Sequence, residues 1–381
     1  MKTNRFFIIL AAAVLLMTSC RNNDSSMLTI INDDGTCSRE MSFHPYPQDI
    51  MAPLDEPINC DGLQFNSDWE RTWSVVGDSV RHPCPITQNQ WDSLQTVFPG
   101  QIVRSKILMH TRRSFEQVSQ MSDSLTHVVG HLFKATSSLD KHFRWFHTDY
   151  VYQETFAITD IEHIFSIPLD LFVSADTASY WFTGQPNLSA GLTGAEQKEL
   201  LDEIEPKISQ WFNACTMDFV YTTVGRRYDE IKNPPVSKEQ FLALKDSIVM
   251  SAAVRNMNLF TDISQIGEIL NKFYHSEAYT QLFSDAKAWE RVLDRKYKSY
   301  EYLMMMAPRL DYVMPGKVID GGGGEVDGQV VSYRFSGERL IPHPYQVTIT
   351  SRVTNIWAYI VTFLIIALAI GSFFYRKTNH R

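Results

Sequence analysis

The sequence predicts an α+β fold, with an antiparallel sheet built from N- and C-terminal strands, a helical insertion between them and one C-terminal transmembrane helix. Three observations lead to this prediction. Apolar and polar residues alternate near both ends of the mature chain, apolar residues recur with a helical period from about 193 to 306, and residues 356–375 carry no charge. A change of period from two to about 3.6 separates strands from helices.

The first 19 residues are organised like a secretory signal peptide. Lys2 and Arg5 precede an apolar stretch over residues 6–17, and a small polar pair then leads to Cys20. A charged start, a short apolar core and a processing site of small residues are typical of exported precursors. We therefore expect residues 1–19 to be removed and the mature chain to begin at Cys20.

Residues 17–20, Met-Thr-Ser-Cys, resemble the lipobox of bacterial lipoproteins. The resemblance covers about twenty residues and differs from the usual pattern in having Met17 where Leu is commonest. It implies that the Cys20 thiol carries lipid and becomes the first residue of the mature protein. An ordinary cleaved signal peptide, or an uncleaved anchor, is the alternative.

The mature chain is predicted to open with a β-hairpin. Residues 28–31 precede Asn32-Asp33-Asp34-Gly35, a strong turn sequence. In the following segment Cys37, Arg39, Met41 and Phe43 alternate with Ser38, Glu40, Ser42 and His44. This period of two is typical of a half-buried strand.

Three further elements are predicted before the helical insertion. Residues 69–76 indicate a strand, residues 114–135 a helix, and the aromatic-rich residues 143–158 another strand. One face of that last strand should carry Tyr150, Tyr152, Glu154, Phe156 and Ile158.

The segment from 193 to 306 is predicted to be helical. Thr193 and Ser237 each stand three residues before a Glu or Gln, which is the capping-box pattern of a helix start. Pro206 should kink or divide the first of these helices. Apolar stripes are formed by Leu200, Leu201, Ile204, Ile208, Trp211, Phe212 and Cys215, and by Ala286, Trp289, Val292, Leu293 and Tyr297.

The last extracytoplasmic residues return to alternation. Residues 326–335 and 345–353 should pair as antiparallel strands, and we expect the first and last strands to be neighbours in one sheet. The Asn-Asp-Asp-Gly turn near the start and this closing hairpin before an apolar segment are similar to LppM-like membrane lipoproteins. That resemblance covers about a quarter of the chain and implies no catalytic motif.

Residues 356–375 are predicted to form a transmembrane helix. Twenty residues at about 1.5 Å each match the roughly 30 Å hydrocarbon layer of a bilayer. Trp357 and Tyr359 at one end and Tyr375 at the other suit the two interfaces. Residues 376–381 contain three basic residues and no acid, which predicts a cytoplasmic tail. Residues 20–355 would then be an extracytoplasmic domain on the bacterial cytoplasmic membrane.

The charge of the chain disfavours nucleic acid as a partner. The formal net charge is −8, and both chain ends hold basic residues without acids, so residues 20–355 are more acidic than the whole. Such a surface repels the phosphates of nucleic acids and anionic lipid headgroups, so electrostatic adsorption to a membrane is disfavoured as well. No cofactor is predicted either, since the run Gly321–Gly324 lacks the Gly-Lys-Ser/Thr of a phosphate-binding loop and indicates a flexible hairpin loop.

Four cysteines besides Cys20 could form disulfides in an oxidising compartment. They are Cys37, Cys60, Cys84 and Cys215. Up to two bridges are possible, in any of three pairings, with buried thiols as the alternative.

Two groups of residues are candidates for chemistry. His127 and His131 are four residues apart, a spacing that lets two imidazoles on a helix bind one metal ion, although position 128 is Val rather than the Glu of a hydrolase motif. A solvated or buried pair without metal is the simpler interpretation. The second group holds four carboxylates and an imidazole around the aromatic strand, namely Asp149, Glu154, Asp160, Glu162 and His163. Two carboxylates at a suitable separation can hydrolyse glycans.

The sequence favours a non-enzymatic, membrane-anchored envelope lipoprotein. Its partners would be the lipid bilayer, through Cys20 and residues 356–375, and an unknown envelope protein or glycan bound by the acidic domain. The alternative is an envelope-glycan hydrolase that uses carboxylates near residues 149–163.

Overall fold

A computed structural model of the chain describes residues 25–98, 103–122, 124–128, 132–257 and 264–379. The described residues form two compact units. The sheet unit lies within Asn23–Ala157, Met305–Ser336 and Pro344–Arg381, and the helical unit within Ile158–Met304 and Gly337–His343. The proposed signal peptide and Cys20 are outside the described residues.

The strands belong to three sheets. They are β1 (Ser26–Ile31), β2 (Cys37–Phe43), β3 (Ile58–Cys60), β4 (Leu63–Phe65), β5 (Glu70–Val75), β6 (His82–Pro83), β7 (Ile107–Phe115), β8 (Thr126–His127), β9 (Phe133–Phe143), β10 (His147–Ile158), β11 (Arg309–Val313), β12 (Lys317–Asp320), β13 (Glu325–Asp327), β14 (Val330–Arg334) and β15 (Tyr345–Thr354). The strand orders are β13-β14-β11-β1-β2-β7-β5-β6, β12-β15-β10-β9 and β3-β4-β8.

The helices lie mostly in the helical unit. They are α1 (Pro47–Met51), α2 (Gln88–Val97), α3 (Ile161–Ile164), α4 (Ala175–Thr183), α5 (Gly194–Arg226), α6 (Lys238–Ala243), α7 (Lys245–Val249), α8 (Ala252–Arg255), α9 (Ser264–Tyr274), α10 (Ala286–Met305) and α11 (Ile356–Asn379). Of these, α1, α2 and α11 belong to the sheet unit.

The eight-stranded and four-stranded sheets pack face to face. The rings of Tyr152 on β10 and Tyr312 on β11 are in contact, and so are those of Phe156 and Phe335. Alternate residues of β10 are buried, and these include Tyr150, Tyr152, Glu154 and Phe156, so the predicted face of that strand is confirmed for them. The core of the sheet unit therefore lies between two sheets, each with one buried face.

The predicted opening hairpin is confirmed. β1 and β2 pair antiparallel from Ser26↔Ser42 to Ile31↔Cys37, and the turn at Asn32–Gly35 joins them. Gly35 has a φ of 94°, which an L residue rarely adopts and a tight turn requires here. The strand predicted over residues 69–76 is also present, as β5.

The prediction that terminal strands pair in one antiparallel sheet is wrong. β1 pairs in parallel with β11, and the last strand, β15, lies in the other sheet between β12 and β10. The Asp33 carbonyl beyond the end of β1 accepts a hydrogen bond from Tyr150, close to the end of β15. The start of β1 and the end of β15 therefore lie at opposite ends of the sandwich.

The predicted hairpin of residues 326–335 and 345–353 is also wrong. β14 pairs with β11 and β13, whereas β15 pairs with β10 over ten positions. The link between them contains a 3-10 turn, Gly337–Leu340, which belongs to the helical unit. A connection that passes through another unit cannot hold its two flanking strands as a tight hairpin.

The α-helix predicted over residues 114–135 is absent from the described part of that segment. β7 extends to Phe115, Val118–Met121 is a 3-10 turn, and β9 begins at Phe133. Val118, Met121 and Leu125 are all buried, so the apolar spacing that suggested a helix does mark core residues. They lie in a turn and a loop rather than in a helix, because the residues before them form β7, which pairs with β2 and β5.

Both predicted capping boxes are confirmed in the helical unit. The Thr193 and Ser237 side chains accept hydrogen bonds from the backbone amides of Glu196 and Gln240, at the starts of α5 and α6. Pro206 does not divide α5, which is continuous. Proline removes one hydrogen bond, and the buried residues on both sides of it compensate through packing.

The apolar stripes of α5 and α10 pack together. Phe212 of α5 contacts Tyr297 of α10, and the Thr216 and Tyr297 hydroxyls lie 2.7 Å apart. Ile204, Ile208, Trp211, Cys215, Trp289, Leu293 and Tyr297 are buried. These predicted positions therefore form the core of the helical unit.

Among the residues that the structure describes, no helix is both long and apolar enough to cross a membrane. The predicted transmembrane helix over residues 356–375 is therefore wrong. A helix, α11, begins at Ile356, but its first turns pack against protein. Ala358 is fully buried, and Trp357 and Tyr359 contact the rings of Phe143 and Phe146 at the β9–β10 turn.

Candidate functional site

The predicted acidic group does not assemble into one site. Asp149 and Glu154 lie in the sheet unit, whereas Asp160, Glu162 and His163 lie in the helical unit. Within β10, Glu154 is on the buried face and Asp149 is on the opposite one. Asp149 and Glu154 are close in sequence, but they are five residues apart on one strand. Residues an odd number of positions apart on a strand point to opposite faces of the sheet.

Glu154 is the centre of a buried polar network between the two sheets. Its Oε1 accepts hydrogen bonds from Arg39 Nη2 at 2.6 Å and from Ser137 Oγ at 3.2 Å. Its Oε2 accepts from the hydroxyls of Tyr152 at 2.9 Å and Tyr312 at 2.7 Å. Burial raises the pKa of both tyrosines, so the two hydroxyls remain protonated donors.

The Arg39–Glu154 ion pair has a structural role. Both side chains are 0% exposed, and Arg39 Nε also donates to Thr29 Oγ1. A carboxylate that accepts four hydrogen bonds away from solvent cannot reach a glycan. The pair instead joins β2 of one sheet to β10 of the other.

The remaining members of the group lie apart from Glu154, and two of them, Asp149 and Asp160, have local partners. Asp149 accepts hydrogen bonds from the Arg352 guanidinium, which hold the pKa of its carboxyl below the usual value. Asp160 caps α3 by accepting a hydrogen bond from the His163 amide. Glu162 and His163 are exposed on that single helical turn. Asp149 is therefore part of a sheet surface, and Asp160, Glu162 and His163 lie at the start of a short helix.

The predicted histidine pair is not on a helix. His127 lies on the short strand β8, opposite Leu63, and His131 is outside the described residues. The i, i+4 argument for a shared metal ion therefore does not apply, because it requires helical geometry. No cluster of three or more metal-binding side chains occurs among the described residues.

The four cysteines that could have formed bridges are buried free thiols. Burial raises the pKa of Cys37 and Cys84 to about 11 and that of Cys215 to about 12, and it also raises that of Cys60. Protonated, buried thiols are unreactive at neutral pH. We assign them to the apolar cores.

A polar cluster on the other face of the eight-stranded sheet was not found from the sequence. His110 Nε2 lies 2.9 Å from Ser74 Oγ, and its Nδ1 lies 2.8 Å from Ser42 Oγ and 3.6 Å from Glu40 Oε1. Ser, His and Glu follow one another as in a catalytic triad. Ser74 is only 3% exposed, however, so the cluster cross-links β5, β7 and β2 rather than presenting a nucleophile.

Glu40 should make the stability of the sheet unit depend on pH. Burial acts to raise the pKa of Glu40, but the contacts with His110 and the two hydrogen bonds from Arg81 outweigh it and lower that pKa to about 2. A carboxyl with a depressed pKa in the folded state stabilises that state above its unfolded pKa of about 4.5. This stabilisation is lost as the pH falls towards 2.

We therefore expect wild-type stability to fall between about pH 4.5 and 2 by roughly 2 kcal/mol more than that of Glu40→Gln. Urea denaturation across this range measures the difference. Glu230→Gln is the control, because Glu230 forms its ion pair with Arg227 on an exposed surface. Parallel pH profiles for the wild type and Glu40→Gln would contradict the expectation.

The helical unit contains a cleft of about 280 Å³ with charged walls. Arg227 donates to both carboxylate oxygens of Glu230, and Trp289 Nε1 donates to the Leu282 carbonyl. The lining includes Arg227, Glu230, Lys232, Gln281, Asp285 and Trp289, and no Ser, Thr, Cys or His. Such a lining is suited to polar binding.

No family model matches this chain, and no curated protein or solved structure is significantly similar to it. Its function must therefore be argued from its own residues.

Proposed function

We propose that the protein is a bacterial envelope lipoprotein, held on a membrane by lipid at Cys20, that presents an acidic two-unit domain for binding or assembly with other envelope components. The observation that carries the proposal is the position of Cys20. It ends a charged, apolar and small-residue leader, and Ser25, only five residues later, is already buried in the fold. A short tether directly after the modified cysteine suits a domain held close to its lipid.

The binding role is supported by the chemistry of the described surfaces. The carboxylate best placed in sequence for glycan hydrolysis, Glu154, is enclosed in the sheet unit, and Glu230 in the cleft of the helical unit forms an ion pair with Arg227. The acidic net charge favours a partner with a basic or neutral surface over nucleic acid.

Acylation is tested by metabolic labelling of the full chain with an alkyne fatty acid in a bacterial host. Wild type and Met17→Leu, which brings residue 17 to the commonest lipobox residue, should both become labelled. Cys20→Ala should lose the label entirely, because the four remaining cysteines are buried and none stands directly after the leader. Label that persists in Cys20→Ala, or an unlabelled wild type, would overturn the proposal.

A second experiment separates binding from hydrolysis. The full chain is incubated with peptidoglycan and capsular fragments, and soluble products are measured by mass spectrometry. We expect no turnover. Reproducible turnover that scales with protein concentration would favour a glycan hydrolase instead.

A further inference from the structure

Helix α11 exposes a long apolar surface. Ten large apolar side chains between Ile356 and Ile370 are at least half exposed. A fully exposed aromatic side chain presents roughly 150 to 250 Å² of surface. Ten half-exposed side chains therefore exceed the roughly 300 to 600 Å² of the largest apolar patch on a typical monomer. A surface of this size indicates that another molecule covers it.

One side of α11 packs against the sheet unit. Ala358 is fully buried, and Val361 and Thr362 are half-buried. Trp145 Nε1, in the β9–β10 turn, donates to Thr362 Oγ1 at 2.8 Å. The Asn355 side-chain amide, directly before α11, donates to the carbonyls of the same turn. These contacts fix which side of the helix points away from the sheet unit.

The opposite side of α11 carries an apolar stripe with a regular spacing. An α-helix turns by about 100° per residue, so Ile360, Phe363 and Ala367 lie opposite Ala358. The outer stripe, as we call it, consists of Ile356, Ile360, Phe363, Ala367 and Ile370, which are separated by four and three residues in turn. This is the heptad spacing with which helices pack side by side. The outer stripe is therefore suited to contact with another helix.

A second copy of the chain is the partner that fits the outer stripe. Residues 353–375 contain no charged side chain, so a contact between two copies brings no like charges together. A two-fold axis places the same stripe on both sides of the contact. Since the stripe points away from the sheet unit, each sheet unit lies on the outside of the pair. The exposed surface of α11 is also of the order of the roughly 800 Å² per partner that a specific interface buries.

We propose that two copies of the chain associate through the outer stripe of α11. The two stripes pack along each other about a two-fold axis, so that Phe363, the central member, faces the same residue of the second copy. This pairing adds a second copy of the chain to the partners proposed above, and it does not depend on acylation of Cys20. The side of α11 that contains Ala358 stays on the sheet unit.

The test is disulfide crosslinking of the full chain at single added cysteines. All variants carry Cys20→Ala, and the other four cysteines are buried, so the added thiol is the accessible one. Phe363→Cys lies in the outer stripe. Ile365→Cys is the matched control, because Ile365 is 58% exposed but lies on the side of the helix that contains Ala358. After oxidation with copper phenanthroline, Phe363→Cys should give several times more disulfide-linked dimer than Ile365→Cys. Equal dimer yields at the two positions would overturn the proposal.

A second pair of variants tests the contact itself. Adding Ala367→Arg to Phe363→Cys should lower the dimer yield about tenfold, because it places two like charges against each other, whereas adding Ile365→Arg should leave the yield unchanged. Benzoylphenylalanine at position 363, irradiated in the expressing host, then identifies what covers the outer stripe by mass spectrometry. Adducts of twice the chain mass support the proposal. Adducts with lipid or with another protein in their place would show that a different molecule occupies the stripe and that the proposal is wrong.

Discussion

Replacing Glu154 with Gln is expected to lower the free energy of unfolding by about 3 to 5 kcal/mol, the usual cost of leaving one member of a buried ion pair without its partner. The substitution preserves the shape of the side chain but removes the charge that balances Arg39, and both side chains are 0% exposed. It also places an amide nitrogen near one of its hydroxyl donors. Urea denaturation of the full chain, followed by circular dichroism, measures the loss.

The matched comparisons separate charge from packing. The double variant Arg39→Met with Glu154→Leu should lose less than Glu154→Gln, because no buried charge remains. Asp149→Asn should cost less than about 1 kcal/mol, since the Arg352 side chain opposite is 43% exposed and solvent screens the pair. If Glu154→Gln proved as harmless as Asp149→Asn, the buried network would not have the structural role assigned to it.

Gly322→Ala is expected to destabilise the protein by about 3 kcal/mol or more. Gly322 lies in the turn that carries the chain from β12 of the four-stranded sheet to β13 of the eight-stranded sheet. Its φ is 53°, and an added Cβ would overlap the Thr348 carbonyl oxygen on β15. The variant therefore combines backbone strain of about 1 to 2 kcal/mol with overpacking of about 1 to 3 kcal/mol.

The neighbouring glycine provides the control. Gly323 also has a positive φ, 89°, but nothing lies within 4 Å of its added Cβ. Gly323→Ala should therefore show only the backbone cost of about 1 to 2 kcal/mol. Thermal and urea unfolding of the two variants measure the difference. Equal losses would show that the close approach of the turn to β15 does not constrain the fold.

Local features of the fold could be predicted from the sequence because they depend on residues close together in the chain. The turn at Asn32–Gly35, the buried face of β10 and the caps at Thr193 and Ser237 all result from interactions within a few residues. The predicted leader that ends at Cys20 is also a local pattern. It stays a prediction and is the basis of the functional proposal.

Errors arose where one local pattern was compatible with two structures. Val118, Met121 and Leu125 have helical spacing and are buried, but they belong to a turn and a loop beside β7. The aromatic residues at the start of α11 suggested one end of a membrane span, whereas they pack on Phe143 and Phe146. In each case the observed structure depends on contacts with strands elsewhere in the chain, which the local pattern does not include.

The buried ion pair depends both on strand alternation, which the sequence shows, and on the packing of the two sheets, which only the structure shows. Arg39 falls among the apolar positions of β2 and Glu154 among those of β10, so the alternation alone places each charge on a buried face. That was a sign that each needed a partner, although the sequence did not identify it. Only the packing of the two sheets brings Arg39 Nη2 to 2.6 Å from Glu154 Oε1.

By itself, the sequence determined the alternating faces of β2 and β10 and the caps of α5 and α6, because short-range periodicity and capping specify them. The tertiary structure alone decided that β1 pairs in parallel with β11, that β15 joins the opposite sheet, and that His110 lies between Ser42 and Ser74. These outcomes depend on which strands bury one another's edges and faces. The pairing of strands depends on the combined free energy of contacts between residues far apart in the chain, so no local pattern specifies it.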